Sequence, residues 1–389
     1  MIEGIVELPL HEGHVPRWLA NLMKRLARAI IEVMVIEYGS DKVVERLSNP
    51  LWFQALNNII GMDWDSSGST TVTTAILRQV LINGDLGVMV LGGKGKRALN
   101  IEEDLKDAAE KLNLSTSKLN ELLRASRLVA KVDSTLLQDG YQLYHHSLIV
   151  SENGVWGIIQ QGMNINKRLA RRYHWFSKNI KRYVVEPHTG IAGFKEELVL
   201  NLIARAVENT RKTLLDLLNE NPRKTLNMIM EANRMLRKTM PLTVWISKAS
   251  VTVIDKDRRL MIYRPITISN RFINILKKIY EVKPHSLEEA LLIRGLGPST
   301  IMALTLVADL IYNEPPSPED PVDHPYDPFK YAYAFGGKDG VPYPVRKDVM
   351  MEVILTLEEA IEKAKMDEKD KRIAFSKLRE LSRHGKNNS

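Results

Sequence analysis

Apolar residues recur every three or four positions over 15–60, with basic side chains between them (VPRWLANLMKRLARAIIEVMVIEYG), the period of amphipathic helices. Residues 61–74 (GMDWDSSGSTTVTT) are small and polar and read as a break. ILRQVL (76–81) then reads as a short helix, and LGVMVLGGKGKR (86–97) as a buried strand entering a glycine-lysine loop. Helical spacing returns over 101–129, with Asn100 or Ser115 as a cap. YQLYHHSLIV and VWGIIQQG flank Ser151-Glu152-Asn153-Gly154; Asn-Gly between β-branched runs predicts a β-hairpin over 141–162. If Leu143, His145 and Leu148 do not share one face, a local bulge is expected in the first strand. Residues 165–182 read as a basic helix or loop, 195–239 as helical, and 251–263 (VTVIDKDRRLMIY) as a second hairpin. Residues 314–345 have the proline and glycine content of a linker, and 346–366 form a last helix before a polar tail. No internal repeat is visible. The expected fold class is α+β, mostly helical, with a small sheet built around the 141–162 hairpin. Three regions are expected: helical 1–130, mixed 131–270 and helical 271–389.

Residues 286–312 (SLEEALLIRGLGPSTIMALTLVADLIY) place a tight Gly295-Leu296-Gly297 turn between two apolar helices. The segment resembles a helix-hairpin-helix, which grips the sugar-phosphate backbone. Glycines let a turn approach a phosphate, and free N–H groups at the start of the second helix, near Ser299 and Thr300, favour an anion. Such contacts give affinity without sequence choice.

Composition narrows the chemistry. With no cysteine, disulfides, thiolate metal sites, iron–sulfur clusters and cysteine nucleophiles are excluded. The net charge of +8 and pI of about 9.3 suit a nucleic-acid partner. No signal peptide or membrane-length apolar run is visible, so no membrane partner and a cytoplasmic location are expected. Abundant charged residues without cysteine suit a thermophile.

Four constellations carry candidate chemistry. The 133–164 hairpin region holds Asp133, Asp139, His145, His146, Glu152, Gln160 and Gln161; on a strand, His145 and His146 must point to opposite faces. His145-His146-Ser147, Glu152 and Gly162-Met163-Asn164 bear a likeness to phospholipase-D-type nucleases, with Ser147 where the lysine of that signature stands. A basic run follows: Lys167, Arg168, Arg171, Arg172, Lys178, Lys181 and Arg182. It interleaves Tyr173, His174 and Trp175, and no acid occurs over 153–185. That mixture suits phosphate pairing and base stacking. The loops 65–71 and 92–96 resemble anion nests, but neither has Walker spacing, so no ATP is expected. Lastly, Asp323 follows the 286–312 segment roughly as a catalytic aspartate does in monofunctional base-excision glycosylases.

The motifs WFQ (52–54), DWDSSGSTT, GGKGK, LQDGYQLYHH, QQGMN, ARRYHW and GGKDG together resemble the archaeal and thermophile family catalogued as domain of unknown function 763. The resemblance implies that these polar motifs belong together, with Asp133, Gln138, Asp139, His145, His146, Gln160, Gln161, Arg171, Arg172 and His174 in one site. The leading expectation is a structure-selective deoxyribonuclease of repair or recombination, possible partners being repair proteins and a second copy of the chain. In it Gly295, Gly297, Ser299 and Thr300 hold backbone phosphate, and Lys167, Arg168, Lys178, Lys181 and Arg182 hold the strand. Asp133, Asp139 and Glu152 bind Mg²⁺ or Mn²⁺, and His145 or His146 acts as base or nucleophile beside Gln161, Arg171, Arg172 and His174. The alternatives are a non-enzymatic binder of branched or bent DNA and a glycosylase.

Overall fold

Strands whose side chains are apolar on both faces need a cover on each. The computed structural model, which describes residues 8–9, 15–62, 67–239, 258–323 and 345–364, supplies two. A six-stranded antiparallel sheet is formed by β1 (Leu8–Pro9), β2 (Val88–Lys94), β4 (Gln142–Ser151), β5 (Trp156–Asn164), β6 (Leu169–Phe176) and β7 (His188–Ala192). Its order is β1-β6-β5-β4-β2, and β7 shares the β6 edge with β1. β3 (Leu137–Gln138) and β8 (Leu200–Asn201) form a separate pair.

Alternation along the strands sorts the core into two halves. Val88, Val90, Ile149, Ile159 and Phe176 belong to the first. It is completed by α1 (Arg17–Tyr38), α2 (Ser40–Leu47), α3 (Pro50–Ile59), α4 (Ser67–Val80) and the late α13 (Lys347–Ala364). An Arg25–Glu358 ion pair of 2.7 Å joins α1 to α13. Met89, Leu91, Leu148, Val150, Ile158, Tyr173 and Trp175 belong to the second half. It is covered by α6 (Ile101–Lys111), α7 (Thr116–Lys131), α8 (Glu208–Asn219), α9 (Pro222–Thr239), α10 (Asn270–Val282), α11 (Leu287–Leu292) and α12 (Pro298–Tyr312). A one-turn helix, α5 (Lys96–Leu99), follows β2. This second core draws its residues from Met89 through Val307, so among the described residues the boundaries expected near 130 and 270 do not divide it.

The hairpin forms as expected, with a register shift between Leu143 and His145. Ser115, and not Asn100, caps a helix by accepting from the Lys118 N–H at 3.2 Å. Four expectations need correction. Within the polar stretch 61–74, helix α4 begins at Ser67; Ser69, Thr70, Thr73 and Thr74 are buried, and small polar side chains fit a helix lying against polar strand residues. The basic segment 165–182 has strand β6 at its centre and no α-helix, because the alternate residues of 169–176 enter the two core layers. Residues 195–207 hold β8 and a 3₁₀ turn, and the helix starts only at Glu208. In the expected second hairpin, 251–257 lies outside the described residues, and Arg258–Ile262 is a 3₁₀ helix. Residues 324–344 of the linker, with its GGKDG motif, also lie outside them.

Candidate functional site

The sheet divides the expected single site in two. On the α4 side lie His145, Gln161, Arg172 and His174. His145 Nε2 is 3.2 Å from Thr74 Oγ1 of α4. Gln161 donates to the Ser67 carbonyl at 3.0 Å and to the Tyr144 hydroxyl at 2.5 Å. The His174 ring meets Phe53 edge-on at 5.5 Å. Arg172 lies over the Phe53 ring at 5.0 Å and donates to Gln54 Oε1 at 3.0 Å and Thr70 Oγ1 at 3.4 Å. Its guanidinium is fully buried with no carboxylate partner among the described residues. Both amide atoms of Asn57, the Thr73 hydroxyl, His145 Nδ1 and Gln161 Oε1 are buried there without a hydrogen-bond partner among the described residues. Burial, then the charges of His146 and Lys94, pushes His145 down to about 3, so the ring is neutral.

On the opposite side are two polar groups. Arg171, fully buried, donates to Asp139 at 2.7 Å, to Asp320 at 2.5 and 3.1 Å and to the Phe194 carbonyl at 2.6 Å. It stacks on Tyr141 at 4.4 Å, while the Tyr173 hydroxyl donates to Asp139 at 2.7 Å. The second group starts where α7 loosens into a π turn, Val132–Leu136, that carries Asp133 inward. Asp133 accepts from His188 Nε2 at 2.6 Å, from Trp175 Nε1 at 2.9 Å and from the Gln160 amide. Gln160 Oε1 faces His146 Nδ1 at 2.9 Å, and His146 Nε2 faces Ser126 Oγ at 2.9 Å. Burial lowers the pKa of His146, opposed by Gln160 and Asp133. Ser126, His146 and Gln160 line a cavity of ≈ 650 Å³ whose other walls include Leu99, Ile101, Leu123 and Leu143.

The expected metal set does not assemble. Asp133 and Asp139 each serve their own donors, and Glu152 lies at the far end of β4, accepting from Ser40 at 3.0 Å. Among the described residues no group of three or more acidic or imidazole side chains is arranged to hold a metal ion. The basic run is also not one surface. Arg171 and Arg172 are internal, Lys167 pairs with Glu196, Lys178 with Asp41 at 3.2 Å, and Arg182 with Glu208 at 3.0 Å. Arg168 sits in the exposed β5–β6 turn, and Lys181 is exposed. In the glycine-lysine loop, the Gly92 N–H is already taken by Asp104 Oδ2 at 2.8 Å. Asp323 accepts from the Ile191 N–H at 2.9 Å at the β7 edge.

The glycine turn does join two helices, α11 and α12. Gly295 has φ +110° there, a conformation that favours glycine, whereas Gly297 is extended. Arg294, Pro298 and Ser299 are exposed and Thr300 is buried. The Lys131 ammonium donates to the Leu296 carbonyl at 2.5 Å, and Gln138 to the Pro298 carbonyl at 3.0 Å, fixing the turn against the end of α7. A cleft of ≈ 480 Å³ opens beside it, lined by Gln138, Arg264, Thr267, Pro298 and Ser299 among others. No helix among the described residues is long and apolar enough to cross a membrane.

Residues missed in the sequence are Ser126 and Asn57; Gln54, His188 and Asp320 fall in segments the sequence singles out, but without a role. Ser126 is one of two serines on an amphipathic helix, and Asp320 lies 149 positions from Arg171, so neither pairing carried a local signal. No curated protein and no solved structure matches the chain. The polar motifs that meet on the two faces of the sheet lie within residues 4–345, which match the model of the family described as Protein of unknown function (DUF763), and the chain belongs to that family.

Proposed function

We propose that the protein binds DNA through its sugar-phosphate backbone, at the turn between α11 and α12. One observation carries this reading: the Gly295–Ser299 turn presents the exposed Pro298 and Ser299 to a cleft that bears Arg264, with the exposed Arg294 beside it. N–H groups at a helix start and nearby guanidinium groups favour an anion, and the excess of positive charge raises the approach rate of a polyanion. Contacts of this kind favour bent or branched DNA through shape, without reading bases. The protein then acts beside other repair or recombination proteins. Metal-dependent cleavage draws no support from Asp133, Asp139 and Glu152, which serve separate partners.

The test is fluorescence anisotropy with labelled duplex, forked and single-stranded DNA over a salt series. Arg294→Glu and Ser299→Glu change exposed side chains and leave the core alone. Binding that falls steeply with salt, and is weakened in both variants, supports the reading. Equal affinity of the variants and the parent protein overturns it.

A further inference from the structure

The polarity of the hydrogen-bond chain from Asp133 to Ser126 follows from the chemistry of its ends. The Gln160 amide nitrogen faces two groups that only accept, the Asp133 carboxylate and the Val129 carbonyl at 3.3 Å. Its NH₂ must point that way, so its oxygen faces His146. That oxygen can only accept, so His146 Nδ1 carries the ring proton. His146 Nε2 is then a lone pair directed at Ser126 Oγ, 2.9 Å away, and the serine hydroxyl is the donor. A helical serine commonly bonds back to the carbonyl one turn earlier. Ser126 instead gives its hydroxyl proton to the histidine.

We propose that Ser126 is a nucleophile activated by His146, oriented through Gln160 and Asp133, and that the cavity they line accepts a carboxylic ester with an apolar acyl group. The nucleophile–base–orienter order is the arrangement acyl transfer requires. The base is neutral in the fold, because burial disfavours the imidazolium. The ≈ 650 Å³ cavity is of the size that holds a small ligand, and Leu99, Ile101, Leu123 and Leu143 give it an apolar wall.

The reaction needs only water as co-reactant. Ser126 Oγ bonds to the ester carbonyl carbon while its proton passes to His146 Nε2. The C–O bond to the alcohol breaks, and the departing oxygen takes that proton. Water then attacks the acyl-serine, gives a proton to His146 and releases the carboxylic acid as the proton returns to Ser126. Ser126 and His146 are the catalytic residues; Gln160 and Asp133 are positioning residues.

The test uses the full-length protein with a fluorophosphonate probe and p-nitrophenyl acetate, butyrate and octanoate. One phosphonyl adduct per chain, mapped by peptide mass spectrometry to Ser126, is expected, together with ester hydrolysis that Ser126→Ala lowers at least about 100-fold. Asp133→Asn is expected to lower kcat about tenfold or more with KM unmoved, and to shift the acid limb of the pH profile, which a purely structural aspartate would not do. Absence of an adduct at Ser126 in the folded parent protein overturns the proposal, and that measurement needs no variant to fold. Hydrolysis that survives in folded Ser126→Ala also overturns it. DNA affinity measured in the same samples reports separately on the binding reading, since loss of the hydroxyl in Ser126→Ala changes no charge.

Discussion

Arg171 and Arg172 are neighbours in sequence, both are fully buried, and they enter opposite layers of the molecule. Arg171 meets two carboxylates, Asp139 and Asp320, whereas Arg172 meets none among the described residues and rests on Phe53, Gln54 and Thr70. The pleat alone separates them, since successive strand residues face opposite ways. The two side chains therefore have different energetics despite identical chemistry.

Removing one partner of a buried ion pair leaves the other charge stranded. Arg171→Met abandons Asp139 and Asp320 together and is expected to cost about 3–5 kcal/mol. Arg172→Met removes a buried cation together with its desolvation penalty, and strands only neutral acceptors. Its cost is expected to be smaller, on the order of 1–3 kcal/mol. Urea unfolding midpoints of the two variants decide the matter. Equal destabilisation would mean that an acid outside the described residues balances Arg172.

The neutral His145 makes the fold acid-sensitive. An unfolded imidazole protonates near pH ~6.5, whereas burial holds the folded ring down to about 3. Between these values the unfolded chain binds the extra proton. Stability is thus complete above pH ~6.5 and falls as pH drops toward 3, by up to about 1.4 kcal/mol per pH unit from this one group. His145→Asn replaces the ring with a side chain that does not titrate there. Urea denaturation at several pH values through this window should show a shallower dependence in the variant than in the parent protein. An identical dependence would mean that His145 is charged in the fold.

Local features of the sheet were legible in the sequence, and its partners were not. Asn153-Gly154 and the β-branched residues beside it announce the hairpin, and the disturbed alternation at Leu143 and His145 announces the bulge. The opposite orientation of His145 and His146 follows from the same alternation. The segment LARRYHWF misleads because two arginines suggest solvent, and only distant residues such as Asp320 and Gln54 make their burial tolerable. The common site failed for a related reason. Motifs gathered along adjacent strands converge in the sheet but are divided by its two faces, and the division between α4 and α7 depends on which helix packs where.

Gly92 of β2 lies against the backbone of the histidine pair. It has φ +73°, and a Cβ placed on it would lie 2.4 Å from the His146 carbonyl oxygen, a backbone atom that cannot swing aside. Gly92→Ala combines an unfavourable backbone conformation with a clash and is expected to destabilise by more than about 1 kcal/mol. Gly95 also has a positive φ, +62°, but open space around it, so Gly95→Ala carries the backbone strain alone. Comparing the thermal midpoints of the two variants isolates the clash, and a Gly92→Ala midpoint no lower than that of Gly95→Ala would contradict the close approach.

The same geometry ranks the basic residues for DNA. Lys178 and Arg182 are exposed but paired with Asp41 and Glu208, and replacing both by alanine removes two cations already engaged by acids, Glu208 keeping its pair with Arg211. Arg294 has no carboxylate partner among the described residues and borders the Gly295 turn. Removing one cation that neutralises a phosphate lowers the slope of log affinity against log salt by about one. Arg294→Ala is therefore expected to reduce that slope by about one and weaken binding on every DNA tested. Lys178→Ala/Arg182→Ala should leave the slope unchanged, with only a small uniform decrease in affinity from the altered net charge. A salt titration of both variants against one duplex distinguishes the turn from the 167–182 segment. A slope that drops in the double variant and holds in Arg294→Ala would move the DNA-binding surface to the β6 end of the sheet.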